Sequence, residues 1–232
     1  MAKQRNYVIL INVVPFIFYA DVSKKGKVTF NRSIPAHATN PIIEVNLEDN
    51  TLGGYKESYH HGANYLKDVV VALEHQHHYA QINLVGHSMG NLEIINCIND
   101  KVNNQKLPQV AHLVAIAGHY DGGVWEKKMM NVKINSRTGK PNKMDSSYWD
   151  LLRLRKTLPR NTAVFNIYGD LQDGSHSDGD VPVNSAKSLN YLVAGRAKSY
   201  REVEIRGRKG QHSKLHHNDQ VNRELIKFLW EK

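Results

Sequence analysis

Cysteine is almost absent from this chain: Cys97 is the only one in 232 residues, so no intrachain disulfide can form. Cysteine usage therefore says nothing about compartment, and Cys97 reads as a small core residue. Long apolar runs are missing too. The stretch from Val8 to Ala20 is mostly apolar but is interrupted by Asn12 and Pro15. It is shorter than the roughly 20 residues a helix needs to cross a bilayer. No Cys/His spacing of a zinc site and no helix-turn-helix pattern occurs. Nor do aromatic residues interleave with the basic clusters at Arg153, Arg155, Lys156 and Arg160, or at Arg201, Arg206, Arg208 and Lys209. These absences argue against a disulfide scaffold, a transmembrane helix, a metal cofactor and a nucleic-acid reader. The net charge of +9 then reads as solvated basic faces, with at most a weak attraction to anionic polymers or lipid head groups.

What is present is an ordinary globular composition, 41% hydrophobic and 23% charged. At 232 residues it suits a single domain spanning residues 1–232. Residues 1–20 are an atypical apolar segment. One reading is a signal-peptide core, which would put the protein outside the cell, but Phe18 stands where cleavage wants a small residue. The preferred reading is a buried strand over about 7–14, ended by Pro15, which fits a cytoplasmic protein. Further strands are expected at 27–30, 42–47, 81–85, 110–118, 162–168 and 200–205. Helices are expected after Gly53-Gly54, over 91–98, 148–158 and 183–192, and at the C-terminus from Val221. Strands alternating with helices point to an α/β fold, a mostly parallel sheet with helices on both faces. Residues 119–147 lack periodicity and read as a lid or a surface insertion.

Gly86-His87-Ser88-Met89-Gly90 falls between an apolar strand and an amphipathic helix, the context of a nucleophile elbow. In that turn the serine is strained, the flanking glycines let strand and helix pass closely, and the Met89 N–H can donate to an oxyanion. A serine needs a histidine base, and the histidine needs a carboxylate, in the chain order serine, acid, histidine. The loop 169–182 carries four aspartates. Asp178 leads, because Asp178-Gly179-Asp180-Val181-Pro182 before a helix resembles the acid-bearing turn of many lipases and esterases. Asp170, at the strand end, is the alternative, while Asp173 and Asp180 suit turn caps. His212 is the first histidine past the last strand, and His216 is the alternative base. His217 reads as a surface residue, His87 as packing beside the strand, and His119 as a lining residue. Glu74-His75-Gln76-His77-His78 reads as a polar helix end rather than a metal site.

Several phrases together resemble one family. They are Asn40-Pro41-Ile42-Ile43-Glu44-Val45, Asn83 through Asn91, Asn166-Ile167-Tyr168-Gly169-Asp170, Ser177 through Val181, Gln211 through His216 and Phe228-Leu229-Trp230. The set is similar to the α/β-hydrolases of Gram-positive bacteria known as cell-surface hydrolases, from about Val22 to the C-terminus. That resemblance implies the α/β-hydrolase fold, no cofactor, and a Ser88, Asp178, His212 (or His216) triad. It also implies a small-molecule or lipid-like ester as substrate, and a cell-surface or secreted location. One departure stands out. The family's first strand ends in His-Gly and a glycine-rich loop that donates the second oxyanion N–H. Here the only His-Gly before the elbow, His61-Gly62, lies in a helical stretch. The expectation is a chain with reduced N-terminal strands: an esterase of lowered power or, alternatively, a catalytically impaired binding protein.

Overall fold

A computed structural model describes residues 8–10, 17–36, 38, 40–49, 55–101 and 107–230. The β-branched and aromatic runs form eight strands: β1 (Val8–Leu10), β2 (Ile17–Val22), β3 (Val28–Phe30), β4 (Ile42–Leu47), β5 (Gln81–His87), β6 (Gln109–Ile116), β7 (Ala163–Asp170) and β8 (Ser199–Arg206). They make one sheet in the order β3-β2-β4-β1-β5-β6-β7-β8. Strands β5 to β8 are parallel throughout. The N-terminal side of the sheet is mixed in direction. Its member beside the elbow strand, β1, has three residues and runs antiparallel to both neighbours, with Val8 opposite Gly86 and Val45. Residues 11–16, including Pro15, lie outside the described residues.

Each central strand buries both faces, because helices cover the sheet on both sides. Leu84, Leu113 and Val164 join one core with α1 (Tyr55–His77) and α2 (Met89–Lys101). Val85, Val114 and Phe165, one residue along, join the opposite core with Val221, Leu225 and Leu229 of the closing helix (Asp219–Trp230). Cys97 is buried on α2, as a small core residue should be.

Some elements differ from expectation. Strand β2 was hidden inside the apolar N-terminal run. Its alternation is plain once folded, with Phe18, Ala20 and Val22 inward and Ile17 and Tyr19 outward. The helix expected over 148–158 is two short ones, α3 (Ser146–Leu151) and α4 (Leu154–Thr157). The helix expected over 183–192 is likewise α5 (Val183–Lys187) and α6 (Leu189–Val193), so the closing helix is α7. Residues 119–147 form a packed excursion with one 3-10 turn at Lys127–Met129 and a bridge between Ile134 and Pro141. Buried Asp121 pins it. Its N–H donates to Ser185 Oγ at 2.9 Å, and its Oδ1 accepts from Asp145 N–H at 2.7 Å.

Glu93 is a liability in this packing. It lies on α2 against α1, where a Cβ on Gly62 would come within 2.3 Å of its carboxyl. Its Oε2 is buried with no hydrogen-bond partner among the described residues, and burial pushes its pKa up to about 7 from 4.5. The folded chain therefore keeps a proton that the unfolded chain releases above pH 4.5, and stability is lost as pH rises toward 7. Glu93→Gln should stabilise by about 2–3 kcal/mol at about pH 8 and by little near pH 4.5, read from urea unfolding midpoints. A gain that does not change with pH would contradict this account.

Candidate active site

The chain reverses from β5 into α2 within one residue. Ser88 takes φ of +51°, a left-handed conformation that costs a non-glycine residue roughly 1–2 kcal/mol. Neighbouring groups hold it there. Ser88 N–H donates to the Ile116 carbonyl at 2.9 Å. Asn91 Nδ2 donates to the Ser88 carbonyl at 3.0 Å and to the Ile116 carbonyl at 2.9 Å, tying the turn to the end of β6. Gly86 is required by proximity, since a Cβ there would lie 2.8 Å from Asn91 Oδ1 and 2.9 Å from Ile94 Cδ1.

Two tight turns bring the acid and the histidine to this serine. After β8 the chain makes 3-10 turns at Gly207–Gly210 and His212–His217. Gly210 sits so close under β7 and β8 that a Cβ would meet the Ile205 carbonyl at 2.1 Å. His212 N–H then donates to the Asp178 carbonyl at 2.8 Å, locking the turns together. Their side chains meet as well: His212 Nδ1 is 2.8 Å from Asp178 Oδ2, and His212 Nε2 is 3.0 Å from Ser88 Oγ. Asp178 Oδ1 accepts from the N–H groups of Asp180 (2.9 Å) and Val181 (2.7 Å), so both carboxylate oxygens are engaged. The network assigns Nδ1–H as donor to Asp178 and leaves Nε2 to accept the serine proton. Such a relay can generate a serine alkoxide at the moment of attack.

The alternative residues lie elsewhere. Asp170 ends β7, where its Oδ1 accepts from Gln172 N–H at 2.8 Å and its Oδ2 lies 3.8 Å from His176. His216 packs its ring on His87, with centroids 4.7 Å apart, and on exposed His217. His212, not His216, reaches Ser88. The histidines at 75–78 end α1 or follow it, and the described residues hold no group of three His, Cys, Asp or Glu able to bind a metal.

Over residues 12–232 the sequence matches the family described as "Alpha/beta hydrolase of unknown function (DUF915)". The chain belongs to this α/β-hydrolase family. Two solved structures share its fold. The product of gene lin2722 from Listeria innocua is 22% identical with a TM-score of 0.79, covering 93% of this chain and 82% of that one. The "putative cell surface hydrolase" from Lactobacillus plantarum WCFS1 is 23% identical with a TM-score of 0.73, covering 92% and 78%. No curated protein matches the sequence.

Two further histidines of this α/β-hydrolase adjoin the site. His87 Nε2 lies 3.1 Å from the His212 carbonyl, so its N–H braces the backbone of the histidine turn. Its pKa is pushed down to about 3, by burial first and then by His212. His119, expected as a lining residue, is buried. Its Nε2 lies 3.0 Å from Tyr59 Oη and its ring is edge-on to exposed Trp125. Burial, then His212, pushes it to about 3 as well. Sequence reasoning missed the bracing role of His87, because position x of G-x-S-x-G carries no partner within its own motif. On the oxyanion side, Met89 opens α2, so its N–H belongs to the helix-start donors that lack an intrahelical acceptor.

Half-buried His87 and buried His119 set a pH dependence of stability. An unfolded imidazole titrates near 6.5 and the folded ones near 3, so the unfolded chain gains protons as pH falls between those values. Stability contributed by the neutral rings is present above pH 6.5 and is lost as pH falls. At about pH 5 the loss is roughly 2 kcal/mol for each. Urea midpoints measured for wild type and His87→Gln from about pH 7.5 to 4.5 should converge on acidification, with the variant giving the flatter curve. Parallel curves would show that His87 is not held neutral.

Proposed function

We propose that this protein is a serine hydrolase that cleaves carboxylic esters through an acyl-enzyme. Ser88 is the nucleophile, and His212 is general base and then general acid. Asp178 orients the imidazole and stabilises it when charged, and the Met89 N–H donates to the oxyanion. The observation that carries this reading is the continuous hydrogen-bond chain from Ser88 Oγ through His212 to Asp178, aimed at a strained serine. The substrate is a small-molecule ester of short or medium acyl length, since residues 119–147 contain no long apolar lid helix. The chemistry uses protein groups alone.

The antiparallel course of β1 favours a second reading, an α/β-hydrolase-fold protein that binds esters with weak turnover. The edge of β1 beside the elbow strand is its N-terminal residue, Val8, where a parallel strand would present its end and the loop after it. Lack of one oxyanion donor typically costs ~10²–10³ in turnover.

Hydrolysis of p-nitrophenyl acetate and butyrate separates these readings. Wild type should turn over. Ser88→Ala and His212→Ala should each lose about a thousandfold or more in kcat, with Asp178→Asn close behind. His216→Ala should retain activity within about tenfold. A fully active Ser88→Ala would end the proposal, and a folded wild type that binds these esters without turnover would support the second reading.

A further inference from the structure

The relay leaves one adjacent carboxylate without a task. Asp180 Oδ2 lies 3.9 Å from His212 Nε2, the same nitrogen that meets Ser88 Oγ, and the Asp180 side chain is half exposed. The chain carries 31 Lys and Arg, yet among the described residues none of them pairs with Asp180. Its backbone is held at both ends. The N–H donates to Asp178 Oδ1 at 2.9 Å, and the carbonyl accepts from Val124 N–H at 2.9 Å. These bonds hold the Asp180 backbone at the site, with its carboxylate half exposed beside the reacting nitrogen.

Val124, bonded to the Asp180 carbonyl, is followed in the chain by Trp125. Trp125 is 53% exposed, its indole seated on Gly123, where a Cβ would come within 2.3 Å of the ring. The indole also meets the His119 ring edge-on, with centroids 5.5 Å apart. Burial keeps His87 and His119 neutral, so neither supplies a cation for Asp180. The site thus offers a carboxylate that no described Lys or Arg neutralises and an exposed aromatic ring, a pairing that suits an ammonium group.

The direction of the chemistry says which half of the ester meets it. In the first step Ser88 Oγ bonds to the acyl carbon and the ester C–O bond breaks. The departing alkoxide takes from His212 Nε2 the proton that Ser88 gave up, and water later releases the acid from Ser88. Groups beside Nε2 therefore border the alcohol half. We propose that Asp180 and Trp125 form a subsite for a cationic alcohol, so that the preferred substrates are esters of amino alcohols. The inference rests on the esterase reading and deepens it.

Acetylcholine and 3,3-dimethylbutyl acetate differ in charge and scarcely in shape, so their kcat/KM ratio isolates the subsite. Wild type should favour acetylcholine about five- to tenfold at low ionic strength. The preference should shrink at about 0.5 M salt and fall toward unity in Asp180→Asn, with a partial loss in Trp125→Ala. Equal kcat/KM values in wild type would overturn the proposal. So would a loss in Asp180→Asn that is the same for both esters, since Asp180 would then act only through His212. As a second readout, choline should inhibit p-nitrophenyl acetate hydrolysis more strongly than 3,3-dimethylbutan-1-ol, and equal inhibition would also overturn the proposal. A folded wild type that hydrolyses no ester, p-nitrophenyl acetate included, would instead remove the esterase reading and the subsite with it.

Discussion

The contact between Asp178 and His212 is the constraint on which the rest of the site depends. It is made twice, once by backbone (2.8 Å, His212 N–H to the Asp178 carbonyl) and once by side chain (2.8 Å, Nδ1 to Oδ2). The backbone bond fixes the separation of two loops that leave adjacent parallel strands, β7 and β8. The side-chain bond fixes the tautomer and the ring plane, and so the direction of Nε2 toward Ser88. Glycines at 169 and 210 allow it: a Cβ on Gly169 would lie 1.8 Å from the Gly210 carbonyl. The serine end is pinned independently by Asn91 and by the strand β6 beside it. Sheet geometry thus delivers three side chains from three loops to one point, as parallel α/β sheets do along their C-terminal edge.

Burial and charge pull in different directions around that point. The chain is strongly basic, yet the relay is surrounded by groups held neutral: His87, His119 and, behind the elbow helix, Glu93. Each neutral group avoids the cost of a buried charge and makes stability depend on pH. Asp180 is the exception, a half-exposed carboxylate beside His212 Nε2.

Much of this was legible in the residues. Ser88 was marked by local pattern alone, because strand, glycine-flanked turn and helix are all contiguous. Chain order points to Asp178 and His212 but leaves Asp170 and His216 open, and the folded turns place Asp178 and His212 in the hydrogen-bond chain to Ser88. Their separation from Ser88 depends on where 3-10 turns begin, which no periodicity encodes. Strand β2 was concealed because Ile17, Phe18 and Tyr19 are all apolar, so only burial reveals which face is inward. The split of α3 from α4 was equally hidden: Tyr148, Leu151, Leu154 and Leu158 are all buried and look like one helical face. Asp180 suits a turn cap by sequence, but the carboxylate that caps this turn is Asp178, whose Oδ1 accepts the Asp180 N–H, and the Asp180 side chain lies beside His212 instead.

The proposed reaction requires Ser88 to be a nucleophile activated by His212, and covalent labelling tests that most directly. Folded protein incubated with a fluorophosphonate should gain one adduct by intact mass. Peptide mapping should place it on Ser88, and His212→Ala should slow its formation sharply. Folded protein that gains no adduct, or an adduct on any residue other than Ser88, would contradict it.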